Sequence, residues 1–261
     1  MSILLALAVG WIAAAIVMAT LWALQRRTGD AGIVDVAWAA GVGILASWFA
    51  WIAEGAPERR WIIAILAGIW SLRLTAYLFQ RVLRMPEDGR YRELRDDWGD
   101  RADLNLFWFF QIQAFWSVLF AAPMFLAARN AEPLGWLDVA GVLVWVAALS
   151  GEWVADRQLG GFRSDPRNKG AVCRDGLWRY TRHPNYFFEW IHWFSYVLIG
   201  WSGPMGWLTL SGPALMLLFL FKITGIPPTE KHALASRGQA YRDYQQVTSV
   251  FFPWPPKEKT T

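Results

Sequence analysis

The sequence predicts an all-α integral membrane bundle of about seven transmembrane helices, and three observations predict it. Of 261 residues, 55% are hydrophobic and only 18% charged, against about 25% charged in soluble domains. The 19 tryptophans suit a chain with two water boundaries, where an indole buries its ring and keeps its N–H satisfied. Apolar runs near the length a bilayer needs, about 20 residues, recur from end to end, so one membrane-embedded unit is expected without a separate soluble domain.

The spans follow in order. The first, 2–24, has no basic segment before it, is long for a signal-peptide core and lacks a convincing cleavage site, so it reads as a retained helix. After Gln25-Arg26-Arg27-Thr28-Gly29-Asp30 comes 31–53, with Asp35 and Trp38 near its start. The third, 61–82, carries Trp70, Arg73 and Tyr77; the last two are one turn apart and share a face. The fourth, 105–128, carries Gln111 and Gln113, and the fifth, 136–155, ends near Glu152. The sixth, 185–202, is the shortest and holds Glu189 and His192; the seventh is 206–225. Beyond it, Ala233 to Tyr244 reads as one short helix with Tyr241 and Tyr244 on one face. Phe251-Phe252-Pro253-Trp254-Pro255-Pro256 ends that helix and is expected to return to the membrane surface.

Charge sets the orientation. Of 25 Lys and Arg, three (Arg59, Arg60, Arg129) fall in even-numbered loops, Arg73 and Lys222 lie within spans, and the other 20 cluster at the odd-numbered loops and the tail. Cytoplasmic loops are Lys/Arg-rich, which predicts an N-terminus outside and a C-terminus in the cytoplasm. The basic residues sit in short loops between apolar spans, so nucleic acid is not an expected partner. The lone Cys173 cannot form an intramolecular disulfide. Glu189 and His192 form a Glu-x-x-His pair, but a bundle di-metal site needs a second copy, and no metal is expected.

Ionisable groups inside spans are costly and are functional candidates. Two readings of Asp35 and Arg73 stand side by side. One is a buried ion pair or interfacial anchor; the other is the polar end of a cavity lined by Trp, Phe and Leu, suited to a flat lipophilic ligand. The most polar stretch runs from Asp156 to Asn185. It includes Arg163, Asn168, Lys169, Tyr180, Arg182 and His183, and leads into Tyr186 and Glu189. Arg and Lys bind phosphates, aromatic rings cover bases, and Asp accepts from ribose or amide groups. That inventory fits a dinucleotide with an extra phosphate. A positive-inside loop needs charge alone. No Gly-x-Gly-x-x-Gly follows a strand, so a Rossmann site is not expected.

Trp178-Arg179-Tyr180-Thr181-Arg182-His183-Pro184-Asn185-Tyr186 with Glu189 resembles the signature of the steroid 5-alpha-reductase-like superfamily. The ending Glu230…Tyr241-x-x-Tyr244…Phe252-Pro253 is similar too, as are Val34-Asp35-Val36-Ala37-Trp38 and Trp70-Ser71-Leu72-Arg73-Leu74. The resemblance implies a seven-helix fold in which residues 1–128 form a substrate cavity and 129–261 form an NADPH site. It implies reduction of a 3-oxo-Δ4 steroid, and cofactor contacts from Asp156, Arg163, Asn168, Lys169, Tyr180, Arg182, His183, Asn185, Glu189, Glu230, Tyr241 and Tyr244. His192 stands where the family has a carboxylate. The eukaryotic enzymes grip the ketone with a Gln-Glu pair on the second span and a Tyr on the third. Here the second span offers Asp35 and the third Trp70, Arg73 and Tyr77, so the proton donor is not fixed by the match.

The expectation is therefore an NADPH-dependent reductase of steroid-like enones, acting as a monomer in membrane lipid. Asp35 and Tyr77 are the catalytic candidates; Trp38, Trp70, Arg73 and Gln111 are the substrate-side candidates. Membrane methyltransferases that use S-adenosylmethionine share the signature region and are the alternative. Their cofactor carries no phosphate and leaves Arg157, Arg163, Arg167, Lys169, Arg179 and Arg182 without a role. A non-catalytic lipid-binding protein is the third reading.

Overall fold

The computed structural model describes residues 1–258. The chain is an all-α membrane bundle. Among the described residues six helical stretches are long and apolar enough to cross a bilayer: Ile3–Thr28, Ile33–Ile52, Pro57–Arg84, Gly89–Ala128, Trp136–Ser164 and Gly206–Arg237. In chain order the helices are α1 (Ile3–Thr28), α2 (Ile33–Ile52), α3 (Pro57–Arg84), α4 (Gly89–Trp98), α5 (Ala102–Ala128), α6 (Trp136–Ser164), α7 (Pro184–Gly200), α8 (Ser211–Leu218), α9 (Ile226–Arg237) and α10 (Gln239–Val247). The expected sixth span is α7. Its 17 residues rise about 26 Å, a little under a hydrocarbon core of about 30 Å.

Two compact units divide the chain. The first comprises residues 1–135 and 199–209, the second 136–198 and 210–261. In the first, small residues let α2 and α3 approach closely. A Cβ on Gly43 would lie 2.2 Å from the Ser71 side chain, and the Ser71 hydroxyl donates to the Ala39 carbonyl at 2.7 Å. Trp38 meets Trp70 of α3 and Phe120 of α5 edge to face. The return of residues 199–209 to this unit is pinned by Asn130, whose amide donates to the Ile199 carbonyl and the Ser202 hydroxyl. Arg59, 1% exposed, donates to the carbonyls of Asn130, Glu132 and Pro133 after α5.

In the second unit, Gly151 gives α7 room against α6: a Cβ there would lie 2.4 Å from the Phe188 ring. The Trp190 indole ties α7 to the Pro213 carbonyl of α8 at 3.2 Å.

Three elements differ from expectation. The break between the third and fourth spans contains α4, capped by the Asp88 side chain on the Arg90 N–H. The fifth span does not stop near 155. It continues as α6 through Gly160 and Gly161 to Ser164 and ends only at Asp165-Pro166, so Asp156 and Arg163 are helical residues rather than loop residues. The stretch from Ala233 to Tyr244 is two helices, not one. Gly238 breaks it at φ +52, a conformation open to glycine at little cost.

Candidate functional site

Glu230, one turn into α9, is the centre of a polar assembly in the second unit. Its Oε1 accepts from Arg182 Nε at 2.7 Å and from the Tyr241 hydroxyl at 3.3 Å, and it faces His183 Nε2 at 3.3 Å. Its Oε2 accepts from Gln245 at 2.9 Å. Arg182 also reaches the tail: Nη1 donates to the Thr248 carbonyl at 2.7 Å and to the Gln245 carbonyl at 3.2 Å. A carboxylate bonded to a guanidinium this little exposed, 10%, is a charge-assisted contact of the strong kind.

The segment between α6 and α7 is held against the C-terminal tail by backbone as well. The Arg182 N–H donates to the Ser249 carbonyl, within an isolated parallel bridge between Thr181 and Ser249. The Thr181 hydroxyl donates to the Phe251 carbonyl at 2.9 Å, and the Trp254 N–H to the Tyr180 carbonyl at 3.0 Å. The Tyr244 hydroxyl donates to the Trp178 carbonyl and, at 3.3 Å, to the Thr181 carbonyl. Burial raises the pKa of the Tyr244 phenol, with Tyr241 beside it adding to the effect. Burial and then the Glu230 charge raise that of Tyr241. Both phenols therefore keep their protons and act as donors.

The mouth of α7 adds the next layer. His183 stacks on Tyr186 with the rings 4° from parallel, and the Tyr186 hydroxyl bonds that of Thr229 at 3.0 Å. The Asn185 amide donates to Asp156 on α6 at 3.2 Å. One turn deeper, Glu189 accepts from the Trp193 indole at 3.2 Å and lies 3.9 Å from His192 Nδ1. The other imidazole nitrogen bonds the Tyr196 hydroxyl at 3.1 Å.

Every residue expected at the cofactor belongs to this unit. Arg182, His183, Glu230, Tyr241 and Tyr244 form its centre, Asp156 and Asn185 pair beside it, and Glu189 lies one turn below Asn185. Arg163 and Lys169 are exposed, Tyr180 is 42% exposed, and Asn168 donates to the Phe162 carbonyl. Two participants were not foreseen, Gln245 and Thr229. Gln245 sits one turn after Tyr241 on the same face of α10, a periodicity that marks it once Tyr241 is chosen.

The catalytic and substrate-side candidates all belong to the first unit. The structure partners Asp35 with residues other than the Arg73 of the ion-pair reading. Its Oδ1 accepts from the Tyr91 hydroxyl at 2.8 Å and its Oδ2 from Arg90 Nη2 at 3.1 Å. Asp88 binds Arg90 at 3.1 Å and also Arg81. Tyr77 is 66% exposed on α3, whereas Trp70 is fully buried. Gln111 donates to the Ala15 carbonyl at 3.4 Å. The sequence of α4 reads as a hydrophilic loop and gives Arg90 and Tyr91 no signal of this role.

A family described as a protein of unknown function, DUF1295, matches residues 21–248. The chain belongs to that family, which is part of the steroid 5-alpha-reductase-like group. The chain is 26% identical to an uncharacterized protein of Schizosaccharomyces pombe over 94% of its own length and 79% of that protein's. It is 34% identical to the steroid 5-alpha-reductase DET2 of Gossypium hirsutum over 28% of its length and 29% of that protein's. No solved structure matches.

Proposed function

We propose that the protein is an NADPH-dependent membrane reductase that saturates the 4,5 double bond of 3-oxo-Δ4 steroids or similar lipophilic enones. One observation carries the reading: signature residues of the segment before α7 and of α10 converge on Glu230 of α9, with the Asn185–Asp156 pair of α7 and α6 in the same unit, in a chain similar over part of its length to a steroid 5-alpha-reductase. The donor set fits a dinucleotide with an extra phosphate. Arg157, Arg163, Lys169 and Arg179 are exposed cations of the same unit, and the Arg157 guanidinium lies 4.9 Å over the Trp153 ring. Asp156 and Asn185 offer an acceptor and a donor at the start of α7.

NADPH, when bound, supplies the hydride. What the chain adds is placement, exclusion of water and a partner for the charge that develops on the ketone oxygen. In this reading Trp38, Trp70, Arg73 and Gln111 hold the lipophilic substrate, and of the two candidate acids, Asp35 and Tyr77, Tyr77 is favoured. Asp35 accepts at both oxygens as it stands, so it serves as an acid only after Arg90 and Tyr91 release it.

Calorimetry on the purified protein tests the reading. NADPH should bind at least about tenfold more tightly than NADH, because an extra phosphate gains charge-assisted hydrogen bonds of about 1.5–3 kcal/mol each. Glu230→Gln should weaken NADPH by a similar factor through loss of its hold on Arg182 and His183. Equal affinities for the two nucleotides would sink the proposal; tight S-adenosylmethionine binding without NADPH binding would replace it with a methyltransferase.

A further inference from the structure

Asn185, Glu189, His192 and Tyr196 recur along α7 at helical spacing and form one polar stripe on a helix otherwise rich in Trp, Phe and Ile. The stripe passes from partly exposed to fully buried. Asn185, at the mouth of α7, donates to Asp156 of α6. The Glu189 side chain is 15% exposed, whereas His192 and Tyr196 are wholly buried. Ionisable groups set this deep in a membrane helix are costly and call for a reason.

The geometry orders the stripe. Glu189 Oε1 accepts from the Trp193 indole at 3.2 Å, and His192 Nδ1 lies 3.9 Å from the same oxygen. The other ring nitrogen of His192, Nε2, is 3.1 Å from the Tyr196 hydroxyl. A neutral imidazole has one N–H and one lone pair, and the partners of the two nitrogens set which is which. With the proton on Nε2, the Nδ1 lone pair would face the Glu189 carboxylate. With the proton on Nδ1, an N–H points toward that carboxylate and Nε2 accepts from the phenol. Both contacts select the Nδ1–H form. At 3.9 Å the N–H is too far for a full hydrogen bond, but in a buried, weakly screened setting its dipole still acts on the charge.

We infer that His192 is a positioning residue for Glu189. Held by Tyr196 as the Nδ1–H tautomer, it aims its N–H at Oε1 and, with the Trp193 indole, fixes the carboxylate in the orientation that receives the nucleotide. The two donors come from the next turn of α7 and converge on one oxygen, which sets the plane of the carboxylate. An ionised carboxylate only accepts, so the group it receives is a donor of the nucleotide, a ribose hydroxyl or an amide. The inference rests on the proposed function for the nucleotide; the tautomer and its action on Glu189 rest on α7 alone.

Asparagine and glutamine separate the two ring nitrogens. In His192→Asn the amide nitrogen falls near the place of Nδ1, which keeps a donor for Glu189 and loses the partner of Tyr196. In His192→Gln the amide reaches the place of Nε2, which keeps a partner for Tyr196 and loses the donor to Glu189. Calorimetry on the full chain in nanodiscs should find NADPH affinity within about threefold of wild type in His192→Asn and about tenfold weaker in His192→Gln. A merely structural role ranks the two in reverse, because it asks only that buried Tyr196 keep its partner. The tautomer is read directly by nitrogen NMR on wild type labelled in its three histidines, with the His192 ring assigned by its loss in His192→Asn. Without nucleotide, Nδ1 should carry the proton and Nε2 should be bare, and Tyr196→Phe should shift the Nε2 signal. A proton on Nε2 or on both nitrogens, or an equal or reversed ranking of the two variants, overturns the inference and leaves NADPH binding by the wild type untouched. A wild type with the Nδ1–H tautomer that binds no NADPH overturns the proposed cofactor instead, and the nucleotide's part in this inference with it, so the two failures are distinguishable.

Discussion

Asp35 shows what a single residue can and cannot disclose in a sequence. A carboxylate near the start of an apolar span signals a special role, but its partners come from a stretch that composition assigns to a loop. Tyr91 is 2% exposed and Arg90 reaches both Asp35 and Asp88, so the carboxylate closes a network rather than standing alone. Asp35→Asn should therefore act mainly on stability. Arg90 keeps Asp88, and its side chain is 40% exposed, so the loss should be about 1–2 kcal/mol rather than the roughly 3–5 of a fully buried pair broken on one side. Thermal unfolding should fall by roughly 2–8 °C, with turnover per folded molecule within about twofold. A hundredfold loss of turnover at unchanged melting temperature would instead restore Asp35 as the acid. The Glu230 assembly was more legible. Tyr241 and Tyr244 share a face by spacing alone, and the loop residues stand out by their mixture of charge and rings. Gln245 and Thr229 did not stand out, because a lone amide or hydroxyl acquires its meaning from the carboxylate or phenol that the fold brings to it.

At the scale of elements, long apolar helices were readable because bilayer thickness fixes their length, whereas their ends were not. α6 overruns its apolar segment by more than two turns, through the Gly160-Gly161 pair that reads as a stop, and ends only at Asp165-Pro166, where proline cannot continue the hydrogen-bond ladder. The helix containing Tyr241 is separate because Gly238 takes a positive φ. α4 is the least legible element, since the fold rather than an apolar face selects it: Asp88 caps it, and Arg90, Tyr91 and Arg95 tie it to Asp35, Gln25 and Glu87. That mode of attachment makes α4 acid-sensitive. Burial opposes ionisation of Asp88. The Arg90 N–H, the Arg90 side chain and the charge of Arg81 outweigh it and hold the carboxyl at about 2, below its ordinary 3.8. A depressed folded-state pKa contributes stability that is fully present above about pH 4 and is lost as pH falls toward 2, here on the order of 2 kcal/mol. Hydrogen exchange of the α4 amides should be flat above pH 5, once corrected for intrinsic rates, and should show falling protection below pH 4. Asp88→Asn should lower the plateau and remove the acid-dependent fall. An unchanged acid profile in that variant would assign the attachment to Glu87 and Arg95 instead.

For the whole molecule, the division into two units separates the expected roles along the chain: Asp35, Trp38, Trp70, Arg73, Tyr77 and Gln111 belong to one, and every expected cofactor residue to the other. Sequence order alone could not assign residues 199–209, which rejoin the first unit through Asn130. The number of crossings turns on α7. At 17 residues it is short for a span, yet its inward groups are partnered: Glu189 accepts from Trp193, and His192 and Tyr196 bond each other at zero exposure. Pairing of this kind lowers the cost of polar groups at membrane depth. A short hydrophobic stretch can cross where the bilayer thins locally, at fractions of a kcal/mol per Å of mismatch. Charge distinguishes the alternatives by expectation. If α7 crosses, all segments that carry the 20 clustered cations fall on one side and only Arg59, Arg60 and Arg129 fall on the other. If it does not, the tail with Lys231, Arg237, Arg242 and Lys257 lies opposite the Arg163 to Arg182 segment, against the positive-inside bias. It would also be parted from that segment by the bilayer, although Arg182 binds Glu230 and the Thr248 carbonyl. Those contacts require the segment before α7 and the tail after α9 to meet on one side, so the expected count of seven needs α7 to supply the first of two crossings between them. Fusion of reporters at the two ends in a bacterial inner membrane should accordingly read cytoplasmic at the C-terminus and periplasmic at the N-terminus. Both ends on one side would mean an even number of crossings and would remove α7 from the count.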